Sequence, residues 1–164
     1  MRYAIVSDVH ANWQAWSAVR DDIHSREVDE IVCLGDVVGY GPSPARVLAD
    51  LRAHCENFVL GNHDAAAAGL IDLSLFNDNA RRSAEWTRKQ FDKASLKLLG
   101  ETPLELDGDD CVFAHAETPA PDDFGYVEEQ DDAQACFGAT DRRFIFIGHT
   151  HVPLVFALAP DGNI

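Results

Sequence analysis

The sequence lacks long apolar runs and has few basic residues. No segment approaches the ~20 apolar residues of a transmembrane helix, and the first apolar run, residues 3–6, meets Asp8 too soon to form the apolar part of a signal peptide. We therefore expect a cytoplasmic protein with no membrane partner. Only 13 Lys and Arg residues oppose 28 Asp and Glu residues, giving a formal net charge of −15. This deficit argues against nucleic acid as the main partner, because basic side chains must neutralise its phosphates.

Cysteine is also scarce. The four cysteines, at positions 33, 55, 111 and 136, show no close pairing. Cys33 and Cys111 lie inside predicted strands, which favours buried reduced thiols over disulfides or a zinc knuckle. The sequence has no low-complexity tract and no internal repeat, and its length of 164 residues is typical of one globular domain with a substantial core. We expect residues 1–164 to form that single domain.

Five short apolar runs each end at a group of polar residues. The runs are 3–6, 31–34, 58–60, 111–114 and 144–147, and they lead into Ser7-Asp8-Val9-His10, Gly35-Asp36, Gly61-Asn62-His63-Asp64, His115 and Gly148-His149-Thr150-His151. Short apolar runs bounded by turn residues predict buried strands. Five of the seven histidines follow these strands closely, and ligands of open α/β sheets bind beyond the carboxyl ends of the strands. The pattern predicts one polar site built from five segments.

Helix and turn signals fill the stretches between these strands. Asn12 can cap a helix that runs to Ile23, and Ser43 followed by Pro44 marks the start of a second helix. Apolar spacing predicts a long helix over 78–98, a hairpin of 104–106 with 110–114, a short helix near 132–138 and a last strand at 154–159. Alternating strands and helices predict a parallel sheet, and the hairpin adds antiparallel strands, so the predicted fold class is α/β with mixed sheets.

Seven residues at the strand ends are candidate metal ligands. They are Asp8, His10, Asp36, Asn62, His115, His149 and His151. Residues two apart in extended backbone point to the same side, so each of the pairs 8/10 and 149/151 could bind one ion. Seven ligands exceed the four of a tetrahedral zinc site, which favours two ions with Asp36 as the bridge between them. Imidazole and oxygen ligands without thiolate suit Mn, Fe, Zn, Co or Ni.

Two further residues carry the predicted catalysis. Two ions held about 3.5–4 Å apart can activate water and stabilise an in-line displacement at phosphorus. His63 follows the ligand Asn62 and would point elsewhere, so it could hold a phosphate oxygen or protonate the leaving group, with Asp64 orienting it. The loop Gly39-Tyr40-Gly41-Pro42 is not a dinucleotide fingerprint, because a third glycine is missing. We expect the side chain of Tyr40 to lie over the site.

These motifs together resemble the calcineurin-like metallophosphoesterase family, and they follow its order across residues 3–152. The resemblance implies two mixed β-sheets packed as a sandwich and flanked by helices, and a small phosphoester as substrate. It also implies that His63 assists catalysis. The implied ligand sets are Asp8, His10, Asp36 and His151 for one metal, and Asp36, Asn62, His115 and His149 for the other. Segment 35–42, with 79–80 and 86–87, is similar to small single-domain prokaryotic members of broad or unknown specificity.

The sequence departs from the family pattern in two places that bear on function. Protein phosphatases and diadenosine tetraphosphate hydrolases of the family carry Asp-Arg soon after Gly-Asp, and residues 38–41 include no Arg, which disfavours both substrate classes. Relatives continue past the His-Thr-His turn with further strands of the second sheet, and we expect this chain to lack them. A fragment, a short natural form and the ordered part of a longer chain all stay open.

Two other functions fit parts of the pattern. A non-catalytic metal-binding scaffold of the same fold is the alternative, although the whole ligand set and His63 are present here. A metallo-β-lactamase-like hydrolase would need a His-x-His-x-Asp-His cluster, which the sequence does not contain. The predicted function is therefore a metal-dependent phosphoesterase acting on monoesters or diesters. The physiological substrate, the native metal and the oligomeric state stay open.

Overall fold

The structure is a computed structural model that describes residues 1–162 and 164. Within these residues, six strands and six α-helices are joined by short loops and one 3₁₀ turn, Leu73–Leu75. The strands are β1 (Tyr3–Val6), β2 (Glu30–Cys33), β3 (Asn57–Phe58), β4 (Glu105–Asp107), β5 (Cys111–Ala114) and β6 (Phe144–Ile147). The helices are α1 (Trp13–His24), α2 (Pro44–His54), α3 (Asn62–Ala68), α4 (Asp78–Arg88), α5 (Lys93–Gly100) and α6 (Gln130–Gly138).

The strands form two three-stranded sheets whose registers fix where the site lies. The first sheet has the order β1-β2-β3 and is parallel, with Val6 opposite Cys33 and Cys33 opposite Phe58. The second has the order β4-β5-β6, antiparallel between β4 and β5 and parallel between β5 and β6, with Ala114 opposite Ile147. The parallel strands of each sheet end in register. The polar residues that follow these strands in the sequence therefore lie together at one edge of the sheet.

Three apolar clusters hold the layers together. The first packs α1, α2 and α5 on the outer side of the first sheet, the second fills the space between the two sheets, and the third lies beneath α6. Each cluster includes cysteine: Cys33 and Cys55 in the first, Cys111 in the second and Cys136 in the third. All four thiols are free and buried, as predicted. This arrangement confirms the α/β class with two sheets packed between helices.

Local signals account for the helix starts. The Asn12 side chain accepts a hydrogen bond from the Ala15 N–H at 3.1 Å, so it caps α1 as predicted. α2 begins at Pro44, whose missing N–H is harmless in the first turn of a helix. Among the described residues, none of the helices combines the length and apolar character that crossing a bilayer demands.

The structure differs from the sequence-based prediction in three segments. The long helix over 78–98 is instead α4 and α5, because Asp92 accepts a hydrogen bond from the Ser95 N–H at 2.8 Å and starts a new helix. The segment over 62–68, for which the sequence predicted no element, is the helix α3. The strand predicted over 154–159 is absent, because no described segment forms a ladder with it, and Val155 is 95% exposed.

Candidate metal centre

The candidate ligands leave their strands on left-handed backbone. Asp8, His10, Asp36, His149 and His151 have φ angles of 53°, 46°, 52°, 68° and 56°. The extended backbone assumed for the pairs 8/10 and 149/151 is therefore wrong. Eight non-glycine residues of the described chain have positive φ, and these five are among them, so the strain is concentrated at one place. Each such residue costs on the order of 1–3 kcal/mol, which the packing around the site has to offset.

Backbone hydrogen bonds between strand-end loops hold this conformation. The N–H groups of Asp8, His10 and Ala11 donate to carbonyls of residues 35, 36 and 37 at 3.1, 2.9 and 2.9 Å. In the second sheet, the Gly148 N–H donates to the His115 carbonyl at 3.1 Å. The two sheets are joined at this edge, because the His149 N–H donates to Asp8 Oδ2 at 3.1 Å. All five segments thus meet at one edge of the sandwich.

The first group of ligands consists of Asp8, His10 and His151. His151 Nε2 lies 3.1 Å from both Asp8 Oδ1 and His10 Nε2, and His10 Nε2 lies 3.9 Å from Asp8 Oδ1. The side chains of Asp8 and His10 are 14% and 13% exposed, whereas that of His151 is 52% exposed. The group therefore lies at the surface end of the site.

The second group consists of Asp36, His115 and His149, all buried, with Asn62 beside them. His115 Nε2 lies 3.2 Å from His149 Nδ1, 3.3 Å from Asn62 Oδ1 and 3.6 Å from Asp36 Oδ2. The ring of Tyr126 stacks on that of His149, with centroids 4.2 Å apart and planes 18° apart. These contacts fix the second group beneath a partly exposed aromatic ring.

Asp36 connects the two groups through one oxygen atom. Its Oδ2 lies 3.7 Å from His10 Nε2 and 3.6 Å from His115 Nε2, whereas its Oδ1 accepts the His63 N–H at 2.9 Å. The residue is 1% exposed. Burial and the neighbouring carboxylates of Asp64 and Asp8 hold the pKa of Asp36 well above its usual range. A positive charge between the two groups would reverse this unfavourable environment.

The donor set fits cations. His10 Nδ1 lies 3.2 Å from the Val38 carbonyl and His115 Nδ1 lies 2.7 Å from the Leu34 carbonyl, so both can donate there and present an Nε2 lone pair to the site. Burial lowers the pKa of His10, and it lowers that of His115 to about 4. Imidazole nitrogens, carboxylate oxygens and an amide oxygen thus converge, which is the chemistry of a divalent-metal site.

His63 lies beside the ligands without joining either group. Its ring contacts those of Tyr40, His10 and Phe76, at centroid distances of 4.4, 5.1 and 5.3 Å. Its Nδ1 is buried and has no hydrogen-bond partner among the described residues. Burial, reinforced by the neighbouring histidines, lowers the pKa of His63 to about 3. The imidazole is therefore neutral at neutral pH.

The contact predicted between Asp64 and His63 is absent, and Asp64 is bound elsewhere. Its carboxylate accepts the N–H groups of Val37, Val38 and Gly61 at 3.2, 3.0 and 3.2 Å. Burial raises the pKa of Asp64 to about 6 despite these bonds. Asp64 thus joins the loop after β2 to the start of α3 and acts on the site through the backbone.

Three aromatic residues at the site belong to no motif that the sequence analysis could recognise. Phe76 contacts His63, Phe124 contacts His115 at a centroid distance of 6.2 Å, and Tyr126 stacks on His149. Phe124 and Tyr126 belong to the Pro- and Asp-rich loop after β5, where no periodic pattern exists. Their proximity to His115 in sequence was the only available signal.

Two groups of His and Asp residues, one buried and one at the surface, lie at the edge of an α/β sandwich, and each could hold a metal ion. The chain belongs to the calcineurin-like phosphoesterase superfamily, whose domain model matches residues 1–159. Members of this family are in general metal-dependent hydrolases of phosphoesters. The chain shares the family's fold, and it contains two groups of His and Asp residues that could each hold a metal ion.

Similar proteins agree with this assignment. A metallophosphoesterase from Sphaerobacter thermophilus is 39% identical, with a TM-score of 0.80 over 93% of this chain and 62% of that one. An uncharacterised protein of Methanocaldococcus jannaschii is 35% identical over 98% of this chain and 66% of its own length. A hypothetical protein from Pyrococcus horikoshii, 17% identical, shares the fold with a TM-score of 0.81 over 98% of this chain and 73% of that one. The chain thus spans slightly less than two thirds of the first two proteins.

Proposed function

We propose that this chain, as a single domain over residues 1–164, is a two-metal phosphoesterase that hydrolyses small phosphoesters. The observation that carries the proposal is the position of Asp36 Oδ2, at 3.7 and 3.6 Å from the Nε2 atoms of His10 and His115. One buried carboxylate oxygen within reach of two separate imidazole groups is suited to bridging two ions. The proposed ligands are Asp8, His10, Asp36 and His151 for one ion, and Asp36, Asn62, His115 and His149 for the other.

The proposed ions are drawn from Mn, Fe, Zn, Co and Ni, because imidazole and oxygen ligands suit these metals. When bound, two such ions supply an activated water and neutralise the charge that develops on the phosphate. The protein supplies orientation. Val38 and Leu34 carbonyls fix the ring planes of His10 and His115, and the His63 N–H fixes the Asp36 carboxylate.

His63 is the proposed catalytic residue. A neutral imidazole can donate one N–H hydrogen bond, and the ring of His63 lies 5.1 Å from that of the ligand His10. We assign it to hold a phosphate oxygen or the leaving-group oxygen. Asp64 is a positioning residue, because its three backbone hydrogen bonds fix the segments that carry Asp36 and His63.

The test begins with protein stripped of metal by a chelator and then reconstituted with manganese. We expect elemental analysis to find two ions per chain. We also expect hydrolysis of bis(p-nitrophenyl) phosphate or p-nitrophenyl phosphate that disappears on stripping and returns with manganese. One ion at most after reconstitution would overturn the two-metal proposal. Two ions with no hydrolysis of either ester would identify the chain as a metal-binding scaffold instead.

A further inference from the structure

An open groove of about 740 Å³ adjoins the first group of ligands. Three of its lining residues are the proposed ligands Asp8, His10 and His151, and the others are Ser7, Val9, Asn12, Tyr40, Gly41 and Pro42. None of the lining residues is Lys or Arg. The groove is therefore continuous with the proposed phosphate site but offers no cation to a second phosphate group.

Tyr40 is the largest side chain of this groove, and its loop is held firmly. Its N–H donates to Ser83 Oγ of α4 at 2.5 Å, and the next residue, Gly41, donates its N–H to the His10 carbonyl at 3.0 Å. Gly39, with φ +89°, lies so close to His63 that an added Cβ would come within 2.9 Å of three atoms of that side chain. The Gly-Tyr-Gly sequence thus allows two loops and a histidine to meet around one aromatic residue.

The ring of Tyr40 contacts two histidines of the site and is also half-exposed. Its centroid lies 4.4 Å from that of His63 and 4.9 Å from that of His10. The residue is nevertheless 51% exposed. A fixed, half-exposed aromatic ring next to a phosphate site is a platform on which a flat organic group can stack.

We infer that the groove binds the organic group of the substrate and that Tyr40 selects an aromatic ring there by stacking. The substrate class is then a phosphoester with a single phosphate group and an aromatic organic group. Nucleoside polyphosphates and sugar bisphosphates are disfavoured, because no lining residue of the groove is basic and further phosphate charge would not be compensated there. This inference rests on the proposed function, since the phosphate must first bind at the metal site.

The test uses phosphonates, which bind without being hydrolysed. Calorimetry compares methylphosphonate, cyclohexylphosphonate and phenylphosphonate on the manganese-loaded protein, the last two having rings of similar size but only one of them flat. We expect phenylphosphonate to bind about 3- to 10-fold more tightly than cyclohexylphosphonate, the range typical of aromatic pairs. Tyr40→Phe keeps the ring and should keep this preference, whereas Tyr40→Leu should abolish it.

Tyr126 offers a matched control. It is 58% exposed and also stacks on a site histidine, His149, but it does not line the groove. Tyr126→Leu should therefore keep the phenyl preference. The inference is overturned if Tyr40→Leu keeps the preference, if Tyr126→Leu loses it equally, or if wild-type protein binds both ring phosphonates alike. Binding of methylphosphonate in that last case would leave the proposed function intact, whereas no binding of any phosphonate would defeat the phosphate site itself.

Discussion

A carboxylate that is 1% exposed and, among the described residues, forms ion pairs only with histidines is costly to keep ionised. Asp36 is such a residue, and the surrounding groups fix the direction of both of its carboxylate oxygens. Oδ1 accepts the His63 N–H, and Oδ2 lies between His10 and His115. At the scale of a single residue, the site is an arrangement that is unfavourable for the metal-free protein and favourable once cations neutralise it.

Asp36→Asn should weaken both metal sites together. The Asn Oδ1 must stay where it accepts the His63 N–H, so its amide NH₂ would take the place of Oδ2 and point hydrogens at both ions. We expect both affinities to fall at least about 10-fold, because even residues that only orient ligands commonly account for 10- to 100-fold. Manganese titrations followed by calorimetry would measure this.

The controls are His10→Ala and His115→Ala, each of which removes a ligand from only one proposed site. Each should weaken mainly one of the two binding steps. Normal binding of one ion to Asp36→Asn would show that the carboxylate does not bridge.

The same substitution should stabilise the metal-free protein. The pKa of Asp36 is raised on folding, so its contribution to stability is complete below its unfolded pKa and is lost as pH rises through its folded pKa. Asn carries no charge to desolvate and can donate toward the neutral imidazoles. Without metal, the free energy of unfolding of Asp36→Asn should exceed that of wild type by about 0.5–2 kcal/mol, as is common when a functional residue is replaced.

Denaturant unfolding in the presence of a chelator would measure this difference, which should grow as pH rises from about 4 to about 8. With manganese the order of stability should reverse, because ligand binding stabilises only the state that binds. A metal-free variant less stable than wild type across this range would refute the argument.

His63→Ala should leave metal binding intact and slow hydrolysis about 10²- to 10⁴-fold, the usual effect of removing a group that assists proton transfer. The physical reason is that His63 contacts the ligand His10 by ring packing and supplies no atom to either group. Elemental analysis and steady-state rates with good and poor leaving groups would test it. His24→Ala, in α1 and remote from the strand ends, is the control. Full activity of His63→Ala on an ester with a poor leaving group would remove His63 from the mechanism.

At the scale of elements, the start of α3 is placed against Asp36 by a close contact. Gly61 has φ −92°, which any residue can adopt, yet an added Cβ would overlap Asp36 Oδ1 and its backbone nitrogen. Gly61→Ala should therefore lower stability by about 1–3 kcal/mol, as overpacking does, and should also weaken metal binding. Thermal unfolding and manganese titration would measure both effects.

Gly138→Ala is the matched control for Gly61→Ala. Gly138 is the last residue of α6, and an added Cβ there would meet nothing within 4 Å. This substitution should be neutral or stabilising by about 0.4–1 kcal/mol, because it restricts the unfolded chain. Equal behaviour of the two variants would show that the packing of Gly61 on Asp36 has no role.

The elements also show what the sequence can and cannot predict. The strands next to the site could be predicted because they are apolar and end at polar residues, and α1 and α2 because Asn12 and Pro44 are starting signals. The helix α3 could not, because the run Asn62–Ala68 has no amphipathic period, and it is stabilised by burial against α4 and α5. Similarly, the convergence of the ligands could be predicted from strand ends, but their left-handed backbone depends on hydrogen bonds between distant loops.

At the scale of the whole molecule, the formal charge of −15 and the two ligand groups together make ion binding sensitive to salt. The charge lies on 28 acidic residues, of which Asp8 and Asp36 are proposed ligands. Two divalent cations would bring the formal charge only to −11, so a metal-loaded protein remains strongly anionic. Attraction of cations and repulsion of anionic substrates should therefore both weaken as salt is added.

The distribution of cysteines over the three apolar clusters gives the protein a built-in reporter of unfolding. Burial raises the pKa of the Cys33 and Cys111 thiols, and it raises that of Cys55 to about 11, so folded protein should react only slowly with a thiol reagent. Mass spectrometry of protein labelled for increasing times in mild denaturant would then show which cluster opens first. We expect Cys136, beneath α6 in a cluster with only two other buried residues, to be modified before Cys33 and Cys55 of the larger first cluster. Simultaneous modification of all four thiols would instead mean that the two sheets and their helices unfold as one cooperative unit.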